Sequence, residues 1–243
     1  MKSVDYYADL LRFYARHPGL YRWRKHEFDH HKFLAYQTSW LQQLGIRTIL
    51  DIGANVGQAA LVFRLAFPQA RIHSFEPLPD CFDRLDGLAR RLGNITPYPV
   101  ALGTETGTVR FERNSYSASS SLLTMNQTHR EHFPFAAATV PVEVALRPLD
   151  EVLADVPLET PLLIKLDVQG YEKQVIEGGR QTIARAKVVI SETSMEPLYD
   201  GQPLFRDMAE TFHDLGFRYA GSFDQLISPK DGRILQQDAI FVR

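Results

Sequence analysis

The sequence predicts an α/β fold, a mostly parallel β-sheet with helices on both faces, preceded by a helical extension. Three observations carry this. From Ile46 onward, short apolar runs alternate with amphipathic stretches, the pattern of right-handed βαβ units that cover a parallel sheet on both sides. The first such run passes straight into a glycine-containing turn and then a helix. The chain ends differently, with two strand-like runs whose connection is too short for a parallel crossover, so they are expected to pair antiparallel at the sheet edge.

In order, residues 1–45 read as helical. Val4, Tyr7, Ala8, Leu11 and Tyr14 recur at helical spacing until His17-Pro18-Gly19 breaks the pattern, and a second stretch over about 26–44 stops at Gly45. Residues 46–243 form the α/β domain. Arg47–Ile52 is a strand, Gln58–Phe67 a helix stopped by Pro68, Arg71–Phe75 a strand, Cys81–Leu92 a helix and Ile95–Leu102 a third strand. An insert over 104–150 holds two alternating strands, Thr108–Glu112 and Thr139–Val144, around a charge-free, serine-rich stretch from Asn114 to Thr128. Then come a strand at Pro161–Leu166, a helix over Tyr171–Ala186 broken at Gly178-Gly179, and a strand at Lys187–Ser191. Leu204, Phe205, Met208, Ala209, Phe212 and Leu215 line a helix closed by Gly216, ahead of strands near 217–222 and 238–243.

Composition narrows the function. The 243 residues are 44% hydrophobic and 23% charged, which excludes a mainly disordered or fibrous chain. Twenty-seven Lys and Arg against 29 Asp and Glu leave a charge of −2, without the basic footprint that nucleic acid requires. The single Cys81 excludes an intrachain disulfide and a multi-cysteine zinc site. With no apolar leader and no run long enough for a membrane span, a cytoplasmic location is expected. The first 34 residues carry seven Lys/Arg and four Asp/Glu; a solvated helix face explains this most simply, an acidic partner or lipid surface being the alternative. Tyr21 and Trp23, read as exposed, leave room for a homodimer contact.

The strongest motif is Asp51-Ile52-Gly53-Ala54-Asn55-Val56-Gly57. Ligands of open parallel sheets bind beyond the carboxyl ends of the strands. Gly53 permits a tight turn and close backbone approach, and Gly57 close packing at the helix start. A dinucleotide turn would read Gly-x-Gly-x-x-Gly, with a pyrophosphate at the helix N-terminus; here Asp51 would repel one. That argues against a nicotinamide dehydrogenase and for a cationic, phosphate-free ligand such as S-adenosyl-L-methionine. Glu76, 25 residues after Asp51 and ending the second strand, suits two vicinal ribose hydroxyls.

Ile164–Glu172 leaves the fourth strand at the same edge. Asp167 is expected to point at the methionine end of the cofactor or the transferred group, Lys165 to form a structural ion pair, Glu172 to begin the next helix, and Glu192 to face the acceptor.

These residues resemble the FkbM-family S-adenosylmethionine-dependent methyltransferases. The matching elements are Asp51–Gly57, Phe75-Glu76-Pro77, Val100–Gly103 with Gly107, Ser117–Leu122, Lys165–Glu172 and Ser191-Glu192, over about residues 46–243. The resemblance implies a Rossmann-like class I methyltransferase fold with a seven-stranded sheet and an antiparallel last strand. It assigns Asp51, Gly53, Asn55, Val56, Gly57, Glu76, Ala101 and Asp167 to the cofactor pocket, with Pro77 and Leu102 flanking the adenine. It implies a hydroxyl acceptor on a sugar, glycolipid or natural product.

Methyl transfer is an in-line displacement from a good leaving group, so orientation and water exclusion supply most of the catalysis. A hydroxyl acceptor also gains from a base; the candidates are Asp167, Glu192, His129 and His132. Asp167 and Glu192 raise the question of a divalent metal, but no further acid at suitable spacing completes a site, and none is expected. His26, His30 and His31 have helical spacing but nothing else of a metal cluster. Ser115, Tyr116, Ser117 and Ser119, with Phe133 and Phe135, would suit a sugar or polyol entering beside the insert. The alternative is a protein that binds the cofactor without turnover. A nucleic-acid methyltransferase is disfavoured by the neutral charge and the lack of an Asn-Pro-Pro-Tyr-type element.

Overall fold

The computed structural model describes residues 4–114, 121–123, 126, 139–228 and 230–243. Strands β1 (Thr48–Ile52), β2 (Arg71–Phe75) and β3 (Ile95–Tyr98) are parallel. β4 (Ala101–Leu102), β5 (Gly107–Asn114) and β6 (Thr139–Arg147) form a separate three-stranded sheet in the order β4-β6-β5. β7 (Leu162–Leu166) and β8 (Val188–Ser194) continue the parallel sheet. β9 (Arg218–Ile227) and β10 (Ile234–Val242) complete it. The main sheet has seven strands in the order β3-β2-β1-β7-β8-β10-β9, with β10 antiparallel to both neighbours. The antiparallel end is present as expected, with β9 alone at the edge and β10 inserted beside β8.

Side-chain alternation explains the two layers. Ile49, Leu163, Val188, Ile190, Ile240 and Val242 face one core; Leu50, Ile164, Val189, Ala239 and Phe241 face the other. The first core is covered by α1 (Val4–Arg16), α2 (His30–Thr38), α3 (Gln58–Ala66) and α4 (Pro79–Leu92). The second is covered by α5 (Leu149–Val152), α6 (Glu172–Gly178), α7 (Arg180–Ile183) and α8 (Phe205–Asp214). Both faces of β1 and β7 are therefore buried, which is why they read as mainly apolar runs, interrupted only by Asp51 and Lys165 towards their carboxyl ends.

Several expectations are corrected. The predicted third strand, Ile95–Leu102, is split between two sheets. Pro97 and Pro99 have no N–H to donate, and the Val100 N–H turns back to the Tyr98 carbonyl at 3.0 Å, so Ala101–Leu102 leaves to pair with β6. The helical stretch over 26–44 is broken. Asp29 caps α2 by accepting from the His31 and Lys32 N–H groups at 2.9 Å, Ser39 ends it in extended backbone, and a 3-10 turn fills Trp40–Leu44. The apolar stripe of α1 is divided: Tyr14 packs against the core and Leu11 does not. Leu11 is 73% exposed, and Phe13 is the buried anchor. Trp23 is buried, not exposed; of the two aromatics, only Tyr21 is open to solvent.

The extension is part of the first core. Phe13, Trp23, Phe28, Phe33, Tyr36 and Leu41 share the first core with Ile49, Leu61 and Phe63. Tyr36 stacks on Phe63 with ring centroids 5.2 Å apart, a contact worth about 1 kcal/mol beyond its buried area. No helix among the described residues is long and apolar enough to cross a membrane.

Candidate active site

The carboxyl ends of β1, β2, β7 and β8 open into a cavity of about 630 Å³. Its floor is a backbone contact. Gly53 has φ +81°, and a Cβ there would lie 1.8 Å from the Asp167 carbonyl oxygen, so only glycine lets the loop after β1 meet the loop after β7. The Gly53 and Ala54 N–H groups donate to the Phe75 carbonyl at 3.1 and 3.0 Å, and Asp167 N–H to the Ile52 carbonyl at 3.0 Å. Three strand ends are thereby locked together.

Gly53, Asn55, Glu76, Pro77, Ala101, Leu102, Asp167 and Glu192 all line the cavity. Asp51, Val56 and Gly57 do not border it. Asp51 is fully buried behind the wall, accepting from the Ser74 hydroxyl at 3.4 Å, while its Oδ1 has no partner among the described residues. Gly57 sits at φ +92° against Leu85 and Leu88, where a Cβ would lie 2.8 Å from a Leu88 methyl. His129, His132, Ser115, Tyr116, Ser117, Ser119, Phe133 and Phe135 lie outside the described residues. The neighbouring Ser121 donates to the Gln169 carbonyl at 2.7 Å, and the Asn126 amide to the Pro197 carbonyl at 2.6 Å, so parts of the insert reach this end of the cavity.

Two carboxyls of opposite character face the cavity. Burial raises the Asp167 carboxyl, but the Lys165 ammonium, 2.8 Å away, outweighs it and holds the group below its ordinary range. Glu192 is driven the other way, well above its ordinary range, by burial first and by the Asp167 and Asp238 charges next. The Gln169 amide nitrogen bridges the pair, donating to Asp167 Oδ1 at 2.8 Å and to Glu192 Oε2 at 2.7 Å. Tyr199 donates to Gln169 Oε1 at 2.9 Å, which fixes the amide orientation, and Gln236 donates to Glu192 Oε2 at 3.0 Å. Glu192 Oε1 is left without a bond among the described residues.

Glu76 binds at both oxygens, accepting from the Asn55 and Leu78 N–H groups at 2.9 Å each, while burial pushes it up to about 7. Phe75, Pro77, Leu78, Val100, Ala101, Leu102 and Phe111 make an apolar slot beside it.

Sequence reasoning missed Lys32, Tyr36, Gln169, Tyr199 and Gln236. The run Gln236-Gln237-Asp238 inside an otherwise apolar strand was a signal for the last of these. Lys32 and Tyr36, together with Glu27 and Asp29, bring the extension into the cavity wall. Lys32 is 2.8 Å from Asp238 Oδ2. Glu27 accepts from Gln58 at 2.8 Å and Arg84 at 3.3 Å.

The sequence profile of the FkbM methyltransferase domain matches residues 51–219. The chain belongs to the FkbM methyltransferase family. Among its FkbM relatives, it is 30% identical over 160 residues to the 2-O-methyltransferase NoeI of Sinorhizobium fredii, covering 63% of this chain and 66% of that one. It is 27% identical over 143 residues to the hexuronic acid methyltransferase AglP of Haloferax volcanii, covering 58% and 54% respectively. The chain thus spans about half to two thirds of these relatives. A crystal structure of an FkbM methyltransferase from Methylobacillus flagellatus shares the fold, with a TM-score of 0.56 at 16% identity over 90% of this chain and 49% of that one.

The FkbM cavity suits S-adenosylmethionine on its own chemistry. The Asp167 carboxylate and the Glu76 carboxyl, with the unpartnered Asn55 oxygen beside them and Asp51 behind the wall, give the cavity an acidic, acceptor-rich lining, which fits a sulfonium, an ammonium and a ribose diol and opposes phosphate. Among the described residues, no group of three or more His, Cys, Asp or Glu side chains could hold a metal.

Glu172 supports the site from behind. It begins α6 as expected, is 2% exposed, and its Oε1 accepts from the Val168 and Gly170 N–H groups at 3.2 and 3.1 Å. Burial raises it from 4.5 to about 7. The folded chain therefore binds this proton more tightly than the unfolded chain. Its contribution to stability is full below about 4.5 and is lost as pH rises through about 7. Glu172→Gln keeps the acceptor oxygen and removes the titration. The variant is expected to match the parent's unfolding free energy at acid pH and exceed it above neutrality, by up to about 3 kcal/mol, as read by denaturant titration. Identical pH dependence in both proteins would rule this out.

Proposed function

We propose that the protein transfers a methyl group from S-adenosylmethionine to a hydroxyl of a sugar-like acceptor, with Glu192 as the general base. The observation that carries this is the bridged pair of carboxyls, one held ionised by Lys165 and one raised towards neutrality, at the carboxyl edge of the sheet. That one relative is a 2-O-methyltransferase and another a hexuronic acid methyltransferase supports a sugar hydroxyl as the acceptor.

When bound, the cofactor supplies an electrophilic methyl carbon on a sulfonium leaving group. Glu76 is assigned to the ribose hydroxyls, Pro77, Ala101 and Leu102 to the adenine, and Gly53, Asn55 and Asp167 to the methionine end. Asp167 stays charged beside Lys165 and holds the cationic end in place. Glu192 Oε1 takes the acceptor proton, while Gln169 and Gln236 fix its Oε2. Leu122 and Leu198 help exclude water. A single cysteine in the sequence, Cys81, buried in the fold, is consistent with a cytoplasmic location.

Calorimetric titration with S-adenosylmethionine and S-adenosylhomocysteine, on the parent and on Glu76→Gln, tests the assignment. A diol donates to the ionised carboxylate, so affinity is expected to fall below about pH 7 in the parent. The variant is expected to bind at least roughly tenfold more weakly, without that pH dependence. Parent-like binding by the variant would remove Glu76 from the ribose site. No binding by a folded parent would favour a non-catalytic role.

A further inference from the structure

The extension carries a surface that the cavity does not use. Residues 1–26 hold six Lys/Arg and two Asp/Glu, a charge of +4 in a chain of −2, which leaves −6 for the remainder. The positive charge is outward: Arg12, Arg16, Arg22, Arg24 and Lys25 are all exposed. Apolar groups lie among them. Leu11 is 73% and Tyr21 51% exposed. They are joined through Tyr14, one helical turn from Leu11 and in edge contact with Tyr21 at 5.3 Å, while the Arg24 guanidinium lies 4.0 Å over the Tyr21 ring. α1 is thus anchored to the core by Phe13, with Tyr14 packed beside it, and leaves Leu11 open to solvent.

We propose that this face docks the protein on an anionic lipid bilayer, with Leu11 and Tyr21 in the headgroup layer and Arg16, Arg22, Arg24 and Lys25 against the lipid phosphates. Charge selects the occupant. A second copy would bring +4 against +4, and the rest of the chain, at −6, is repelled by an anionic surface, so the molecule orients with the extension down. A nucleic acid would satisfy the basic groups but leave Leu11 uncovered. An exposed aliphatic and aromatic pair framed by arginines is the composition of an interfacial helix. The attachment proposed is peripheral, through this face alone; no described helix is long and apolar enough to span the bilayer.

The test is sedimentation of the full chain with vesicles of phosphatidylcholine alone, or with about one quarter phosphatidylglycerol, at low and high salt. Partitioning is expected only onto the anionic vesicles, and weaker at high salt. The combined Arg22→Gln, Arg24→Gln, Lys25→Gln variant is expected to lose roughly a hundredfold in partitioning, and Leu11→Ser severalfold, with S-adenosylmethionine binding and thermal midpoint unchanged. No partitioning, equal partitioning onto both vesicles, or parent-like behaviour of both variants would overturn the proposal. So would tighter retention on duplex DNA than on vesicles, which would make this a polyanion face, or a Leu11-dependent dimer in sedimentation equilibrium. None of these readouts needs methyl transfer, so the proposal stands or falls separately from the catalytic assignment.

Discussion

Gly53→Ala is expected to reduce S-adenosylmethionine affinity by at least about a hundredfold. Two costs add. At φ +81° an alanine is in left-handed backbone, which costs about 1–2 kcal/mol. Its Cβ would also lie 1.8 Å from the Asp167 carbonyl oxygen, less than any non-bonded contact allows, and backbone cannot rotate away as a side chain does. The loops after β1 and β7 must therefore part, breaking the Asp167 N–H bond to Ile52 and displacing Asp167 itself. Gly87→Ala is the control: it lies within α4 with nothing within 4 Å of the new Cβ, and is expected to be neutral or stabilising by about 0.5–1 kcal/mol. Calorimetric titration with near-ultraviolet circular dichroism separates lost binding from lost fold. Near-parental affinity for Gly53→Ala would mean the contact does not shape the cofactor site.

Glu192→Gln is expected to lower kcat by about 10²–10⁴-fold while leaving cofactor affinity nearly intact. The substitution conserves shape, and its carbonyl oxygen can still accept from Gln169 and Gln236, so the loss would be that of a proton acceptor. The pH profile carries the sign. A base must be deprotonated to act, and burial with neighbouring negative charge raises this carboxyl, so the parent's kcat is expected to rise with pH through that raised value. The variant should lack that limb. Asp167→Asn is expected to behave differently. It leaves the buried Lys165 without its carboxylate, so binding and stability fall together. A Glu192→Gln enzyme with parental kcat would move the base to a residue such as His129.

The main sheet was legible because both of its faces are buried. Strands such as Thr48–Ile52 and Leu162–Leu166 had to be largely apolar on both faces, with Asp51 and Lys165 the charged exceptions, and the antiparallel end followed from connection length alone. The edges were less legible. Pro99 diverts Ala101–Leu102 into a second sheet, which an apolar run cannot reveal. On α1 periodicity found a stripe but not which of its members would be buried: Phe13, outside the stripe, enters the core with Tyr14 beside it, while Leu11 stays exposed. In the site, Asp167 and Glu192 were readable from the strands they follow or end. Gln169 was not, because its role depends on two carboxylates brought together from separate strands. Lys32 and Tyr36 were hidden for the same reason: only tertiary packing lays α2 across the cavity.

The recognisable family segment and the cooperative folding unit have different boundaries here. The profile begins at Asp51, yet Phe13, Phe28, Phe33 and Tyr36 are interleaved with Leu61 and Phe63 in a single core, and Lys32 closes on Asp238 near the carboxyl terminus. A fragment cut to the homologous segment would expose one flank of the sheet to water and open the cavity on that side. Domain grafts or chimeras between relatives therefore need their junction upstream of α1. Sequence drift in the first forty residues can alter the pocket without touching any signature motif.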